Sequence, residues 1–300
     1  VRGSILGITI SGLVVGCGHV GTQPGDPCSA KERCSEGQIC DMTDPDGPAC
    51  LDGSGDLDGD GIPNAKDFCE HMPGGAFDED GDGIGDECDA CPIAPPPATP
   101  ETDGDGVDFP CDPNPTMPGD KIVLFNGFNA ALPPSWTASP AWQVRGGEAI
   151  MTPTDVTKAE ELSAPLGAAL TTHTVIFAAY RIDSVAAGAT AADAAVIGIN
   201  RLPMGSSTAE CGGSRAGPSD FLRLQTDAGS GSKAFMNLFD PASLYRVVEQ
   251  LDGGTANCAM VANSDSGAIT TMISGNPMSS AGVFARGATA RFAYILVVQR

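Results

Sequence analysis

The chain has 300 residues, with 38 Asp and Glu against 16 Lys and Arg and a formal net charge of -22. Half of those acids, 19, fall in residues 51–120, where Lys66 is the only base, whereas from Lys121 onward 13 acids face 12 bases. The negative charge is therefore local, and with no basic surface in prospect nucleic acid is not an expected partner.

In chain order, Arg2 precedes an apolar run at residues 5–15 that is short for a bilayer span and ends at Val14-Val15-Gly16-Cys17. This ending resembles a bacterial lipoprotein signal, which implies that residues 1–17 are the signal segment and that Cys17 becomes the lipidated terminus after cleavage. An ordinary signal peptide or a membrane anchor with an incidental cysteine is the alternative. Removing Cys17 from the eleven cysteines leaves ten, in local groups of four, four and two. Gly18 follows the cysteine, which favours an outer-membrane or surface destination in the bacterial envelope, with attachment by lipid rather than by a span; secretion is the alternative.

Residues 18–51 form a cysteine-rich spacer with Cys28, Cys34, Cys40 and Cys50 among Gly, Asp, Pro and Ser. So small a segment cannot bury a sufficient core, so two disulfides are expected to hold it. The spacing offers neither Cys-x-x-Cys knuckles nor histidine partners, so zinc is not expected. The run Cys34-Ser35-Glu36-Gly37-Gln38-Ile39-Cys40-Asp41 resembles short cysteine-rich modules of bacterial surface proteins, without an activity attached.

Residues 52–118 carry the strongest pattern. Two twelve-residue stretches, 56–67 and 78–89, place oxygen side chains at positions 1, 3, 5, 9 and 12, glycine at 6 and an aliphatic residue at 7. Asp56, Asp58, Asp60, Asn64 and Asp67 with the carbonyl of Ile62 form one set, and Asp78, Asp80, Asp82, Asp86 and Asp89 with the carbonyl of Ile84 the other. This is the order that wraps a hard cation in six to eight oxygens, so Ca2+ is the expected cofactor. A third copy, 101–112, has Asp103, Asp105, Val107 and Asp112. It departs at position 1, a glutamate, and at position 9, Phe109 with Asp108 displaced by one, so it is expected to bind weakly or to share a neighbour's ligands.

Helices of the EF-hand kind are opposed by Pro63, Pro73, Gly74, Gly75 and Pro95-Pro96-Pro97. The Asp-x-Asp-x-Asp-Gly loops with Cys-Asp-x-Cys-Pro at residues 88–92 resemble the thrombospondin type 3 repeat family over residues 52–114. The resemblance implies calcium loops with little regular secondary structure and pairing of successive cysteines, Cys69 with Cys88 and Cys91 with Cys111. Sequence spacing by itself leaves that connectivity open.

Residues 119–300 read as all-β. Apolar or alternating runs at 121–125, 172–180, 195–199, 221–224 and 291–298 are punctuated by Gly, Pro, Asn and Asp, and helical candidates are confined to 241–244 and 186–195. First and last strands are expected to lie side by side in a two-sheet sandwich. Phe125-Asn126-Gly127-Phe128, Trp142-Gln143-Val144, Gly282-Val283-Phe284-Ala285-Arg286 and Ala290-Arg291-Phe292-Ala293-Tyr294 resemble the concanavalin A-like, laminin G-like sandwiches. The expected fold class is mainly β: a C-terminal jelly-roll β-sandwich preceded by irregular, disulfide-linked calcium-binding repeats.

Such folds host lectins, adhesion modules and glycosidases, so function must come from the site. No Glu-x-Asp-x-x-Glu strand, Gly-x-Ser-x-Gly elbow or His-Glu-x-x-His helix is present. His19, His71 and His173 fall in three different segments, and His173 has no evident partner. The expectation is therefore a protein that is not an enzyme, in which a calcium-stiffened stalk presents the sandwich for adhesion or carbohydrate recognition. An extracellular glycan or surface protein is the expected partner, with the membrane reached only through the lipid. A polysaccharide- or ester-directed hydrolase and a purely structural lipoprotein are the alternatives. Trp136 and Trp142, the only tryptophans, are candidates for stacking on a sugar, although core packing suits both. Cys211 and Cys258 are expected to clip a loop to a strand, with Gly212-Gly213 and residues 229–232 in exposed loops.

Overall fold

The structure, a computed structural model, describes residues 23–29, 34–96, 103–166, 173–189, 195–199, 209–236, 238–262, 265–274 and 280–300. Cys17, the expected signal segment and Glu101 lie outside them. The chain divides into two compact units, Val1–Asp89 and Ala90–Arg300.

In the first unit, proline, glycine and aspartate leave room for only one short ribbon. Strands β1 (Gln38–Asp41) and β2 (Ala49–Asp52) pair antiparallel with Cys40 opposite Cys50. The bridges run elsewhere, Cys28–Cys40 and Cys34–Cys50, tying both strands to the preceding coil. Among the described residues the sole helical element of the chain is a 3-10 turn, Asn64–Lys66. Cys69–Cys88 closes the second aspartate loop back onto the end of the first.

The second unit contains β3 (Lys121–Asn126), β4 (Thr137–Ala138), β5 (Trp142–Val144), β6 (Ala149–Met151), β7 (Glu160–Pro165), β8 (His173–Val185), β9 (Ala195–Ile199), β10 (Ala209–Ala216) and β11 (Ser219–Thr226). These are followed by β12 (Ser230–Ala234), β13 (Tyr245–Asp252), β14 (Thr255–Ala262), β15 (Asp265–Met272), β16 (Ser280–Ala285) and β17 (Ala288–Gln299). They build two antiparallel sheets, ordered β12-β11-β10-β9-β16-β7-β4 and β15-β14-β13-β8-β17-β6-β5. β3 pairs with the far half of β17, so the first and last strands of the unit do lie side by side. Among the described residues neither helical candidate shows a helix: 241–242 form a turn, as do 187–188, while 190–194 lie outside the described residues.

Alternation explains the sandwich. In β13, Tyr245, Val247, Glu249 and Leu251 are buried while Arg246 and Asp252 are exposed; in β11, Leu222 and Leu224 point in while Phe221, Arg223 and Gln225 alternate with them. Between the sheets Phe292 lies 5.7 Å from Trp142 and 5.4 Å from Tyr180, which stacks on Tyr245 at 5.3 Å. Each such fully buried side chain contributes about 1.5–3 kcal/mol.

One irregularity in β17 decides what the other face of the eight-stranded sheet does. Register shifts between Phe292 and Tyr294, so both Ala290 with Phe292 and Ile295 with Val297 face the inter-sheet core. Leu296 and Val298 then face outward, where Cys91, Val107 and Cys111 cover them. The third aspartate loop thus belongs to the second unit. There it buries its apolar side on the sheet, and its own bridge, Cys91–Cys111, lies within that unit.

Cys211 and Cys258 are also corrected. Both are fully buried and join β10 to β14, a strand in each sheet, rather than clipping a loop. Gly212 and Gly213 lie inside β10; a side chain at Gly213 would come within 3.0 Å of Leu238, so glycine is required by the core rather than by a loop.

Candidate metal centre

The two full loops share one hydrogen-bonded frame. The position-1 aspartate accepts from both glycines of its loop: Asp56 from the N–H groups of Gly59 and Gly61 at 2.8 and 3.1 Å, Asp78 from those of Gly81 and Gly83 at 2.7 and 2.9 Å. Gly61 and Gly83 both have φ of 95°, a conformation that side chains other than hydrogen rarely adopt. Position 3 accepts from the position-5 N–H, and position 5 from the position-7 N–H, Ile62 on Asp60 and Ile84 on Asp82. The third loop repeats the last contact, Val107 donating to Asp105.

Hydrogen bonds engage both oxygens of Asp56, Asp60 and Asp78 but only Oδ1 of Asp58, Asp80 and Asp82. Asp56, Asp58 and Asp60 bring oxygens within 4.8 Å of one another, as do Asp78, Asp80 and Asp82, and Asp103, Asp105 and Asp112. The Oδ2 atoms of Asp58, Asp67, Asp80 and Asp82 are buried with no hydrogen-bond partner. Buried oxygens left open in this way are costly unless a cation or a proton compensates. Accordingly Asp80 is pushed up to about 6, by burial first and then by Asp82. Burial raises Asp86 to about 6 against the opposing Glu79 N–H hydrogen bond, and raises Asp67 with help from the charges of Asp58, Asp60 and Asp56. An all-oxygen donor set of this charge fits a hard divalent cation.

Position 9 behaves differently from the sequence expectation. Asn64 is buried, accepts the Leu57 N–H through Oδ1 at 2.9 Å and donates to the Asp52 carbonyl at 2.7 Å. Its amide closes the neck of the loop through both ends, with one lone pair of Oδ1 engaged. Asp86 does the same with one oxygen, accepting the Glu79 N–H at 2.8 Å, and keeps the other. At position 12, neither Asp67 nor Asp89 is part of its loop's triad, although Asp67 lies close enough to feel all three carboxylates of the first loop.

The third loop draws its acids from positions 3, 5 and 12, and a residue beyond the repeat stands next to them. Asp120, only 1% exposed, donates its N–H to Asp105 at 2.8 Å. Asp112 is pushed up to about 6 by burial, with the charges of Asp105, Asp120 and Asp103 behind it and the Asn114 N–H opposing. Nothing in the repeat pattern pointed to Asp120.

Sequence reading also missed a mixed group in the first unit. The Nε2 of His71 lies 2.7 Å from the buried Asp41 carboxylate, with Asp44 beside them. The two partners are thirty residues apart and share no motif. Similarly His173, read as partnerless, has its Nδ1 2.8 Å from Asp252 on the exposed rim, because β8 and β13 pair there in register.

On the sandwich, Trp142 is buried against Phe292, which removes it as a stacking platform, and Trp136 is half-buried edge-on against Phe128. A polar groove of about 420 Å³ lies instead on the outer face of the seven-stranded sheet, lined by Ser214, Phe221, Arg223, Gln225, Ser230 and Ser232. Arg223 donates to Gln225 at 2.6 Å across its floor.

No protein-family model and no curated protein matches the chain. Among solved structures it is similar to the CBM2 module of the evolved Dit of Lactobacillus casei BL23 phage J-1, at 13% identity over 60% of this chain and 96% of that one, TM-score 0.43. It is similar also to the VIP36 exoplasmic/lumenal domain in its Ca2+-bound form, at 7% identity over 60% and 90%, TM-score 0.42. Bacillus licheniformis β-glucanase matches at 10% identity over 59% and 98%, TM-score 0.42. The xylan β-1,4-xylosidase of Bacillus halodurans C-125 matches at 10% identity, with 61% of this chain and 40% of that one covered and a TM-score of 0.43. The neighbours thus include glycoside hydrolases, and the expectation that the protein is not an enzyme is withdrawn on that finding. At such identities the likeness is one of β-sandwich architecture, with carbohydrate-binding and carbohydrate-cleaving proteins both represented.

Proposed function

We propose that the chain is a calcium-binding envelope protein whose thrombospondin type 3-like loops are ordered by Ca2+ and carry a β-sandwich for carbohydrate recognition. The single observation behind it is the duplicated frame of the first two loops, which turns three carboxylates inward and leaves Asp58, Asp80 and Asp82 each with a buried, unpartnered oxygen. Asp56, Asp58, Asp60 and Asp67 with the Ile62 carbonyl would hold one ion, and Asp78, Asp80 and Asp82 with Asp86 and the Ile84 carbonyl another. The ion would supply the positive charge that lets these acids ionise together and so order a segment poor in apolar residues. Attachment through lipid at Cys17 is part of the proposal; the other ten cysteines are accounted for by five bridges. The polar groove around Arg223, with Phe221 as its aromatic element, is the surface proposed to meet a glycan.

Calorimetric titration of calcium into the chain without its first 17 residues tests this, with scattering followed in parallel. Saturable binding of at least two ions with compaction is expected. Absence of binding at millimolar calcium, the weak end for extracellular modules, would reduce the loops to an acidic linker. A glycan array and a polysaccharide turnover panel, both run with calcium, then separate binding from hydrolysis by the sandwich.

A further inference from the structure

We propose that Asp120, a residue outside the repeat pattern, completes the third aspartate cluster as a calcium ligand and so fastens that loop to the first strand of the sandwich. The inference rests on the calcium reading above and adds a ligand that the repeat does not supply. The third loop lacks a carboxylate at position 9, where Phe109 stands. Its triad, Asp103, Asp105 and Asp112, therefore needs oxygen from elsewhere to reach a calcium shell.

Asp120 is placed to give it. Its side chain is buried, its Oδ1 has no hydrogen-bond partner, and it immediately precedes β3. Two contacts fix it against the cluster from different sides. The backbone N–H groups of Gly119 and Asp120 both donate to Oδ2 of Asp105, at 3.0 and 2.8 Å. Asn114 bridges the other pair, its N–H on Oδ1 of Asp112 at 2.6 Å and its Nδ2 on Oδ2 of Asp120 at 3.3 Å. Asp105, Asp112 and Asp120 are therefore joined, without an ion, by Asn114, Gly119 and the backbone N–H of Asp120 itself. An ionised carboxylate buried this completely with an open oxygen is strongly disfavoured unless a cation meets it or a proton neutralises it.

The consequence is mechanical. Val107 and the Cys91–Cys111 bridge already seat the loop on Leu296 and Val298 of β17, and β3 pairs with that same end of β17. An ion held by Asp105, Asp112 and Asp120 would cross-link the loop to β3, so occupancy of this site would stabilise the sandwich. Occupancy of the first loop, whose ligands all precede residue 90, would not.

The test uses the chain without its first 17 residues, as wild type, Asp120→Asn and Asp58→Asn. Calcium stoichiometry is read by equilibrium dialysis, and the calcium-dependent shift in thermal unfolding of the sandwich by tryptophan fluorescence. Asp120→Asn should lose one bound ion, or weaken it ten- to hundredfold, and lose the thermal shift; Asp58→Asn should lose an ion and keep the shift. Unchanged stoichiometry, affinity and shift in Asp120→Asn would overturn the inference. Failure of the wild type to bind calcium at all would instead overturn the parent reading. Hydrogen exchange of Lys121–Asn126 in the wild-type chain covers the case in which Asp120→Asn does not fold. Slower exchange with calcium supports the ligand, and unaltered exchange at saturating calcium refutes it.

Discussion

Replacing Asp80 by asparagine separates a cation site from an acidic surface patch, because the sign of the effect depends on whether calcium is present. Without calcium, Asp80 shares a space with Asp78 and Asp82, ligand oxygens within 4.8 Å, and its own Oδ2 is buried and unpartnered. Two like charges at that spacing repel by about 1 kcal/mol under water-like screening, and side chains this open to solvent realise only part of it. Asparagine keeps the oxygen that accepts the Asp82 N–H. The calcium-free variant should therefore match the wild type or exceed it by up to about 1–2 kcal/mol, two such repulsions being the ceiling. With calcium, one charged ligand is lost, and binding to the second loop should weaken about ten- to hundredfold, or roughly 1.4–2.7 kcal/mol. Calorimetry of calcium binding, paired with urea unfolding in chelator and in excess calcium, reads both signs. Equal destabilisation in the two conditions, or an unchanged affinity, would show that the loop is held by its hydrogen bonds alone and that the cation reading is wrong.

The pH dependence follows from the same acids. Asp80 and Asp86 titrate near 6 in the calcium-free fold, above their ordinary value. As pH rises from about 4 to 6 the unfolded chain ionises first, so the calcium-free segment loses stability over that window; calcium binding needs the ionised forms, so affinity falls as pH drops through 6. Titrations in buffers of different ionisation enthalpy should show proton release near pH 6, and a flat affinity between pH 5 and 7 would contradict the assignment. Removing the Cys69–Cys88 bridge with paired serines opens a separation of 19 residues and should cost about 3 kcal/mol. It should expose the second loop to protease in calcium, and resistance equal to the wild type would refute a role for the bridge. Phe292→Ala, at a fully buried position against Trp142 and Tyr180, should destabilise the sandwich by about 3–5 kcal/mol. A loss under 1 kcal/mol in chemical unfolding would mean that the inter-sheet core is not packed as described.

What the sequence by itself determined is whatever twelve consecutive residues or a two-residue period can specify. The loop frame is of this kind: aspartate, glycine and aliphatic positions recur at fixed offsets, and the hydrogen bonds repeated in both full loops span at most seven residues. Strand alternation is too, which is why β3, β8, β9, β11 and β17 all cover predicted runs. Tertiary structure decided where distant surfaces meet. The bulge in β17 turned Leu296 and Val298 outward, and the third loop covers that strip within the second unit. Asn64, read from the repeat only as a ligand, also ties the loop to the Asp52 carbonyl 2.7 Å from its Nδ2. The His71–Asp41 and His173–Asp252 pairs, the Cys211–Cys258 link between sheets and the approach of Asp120 to Asp105 likewise join residues with no shared local pattern. Local propensity dictates how a segment bends and which face it buries. Its partner is set by the packing of the whole unit, where a one-residue shift in register exchanges one face for the other.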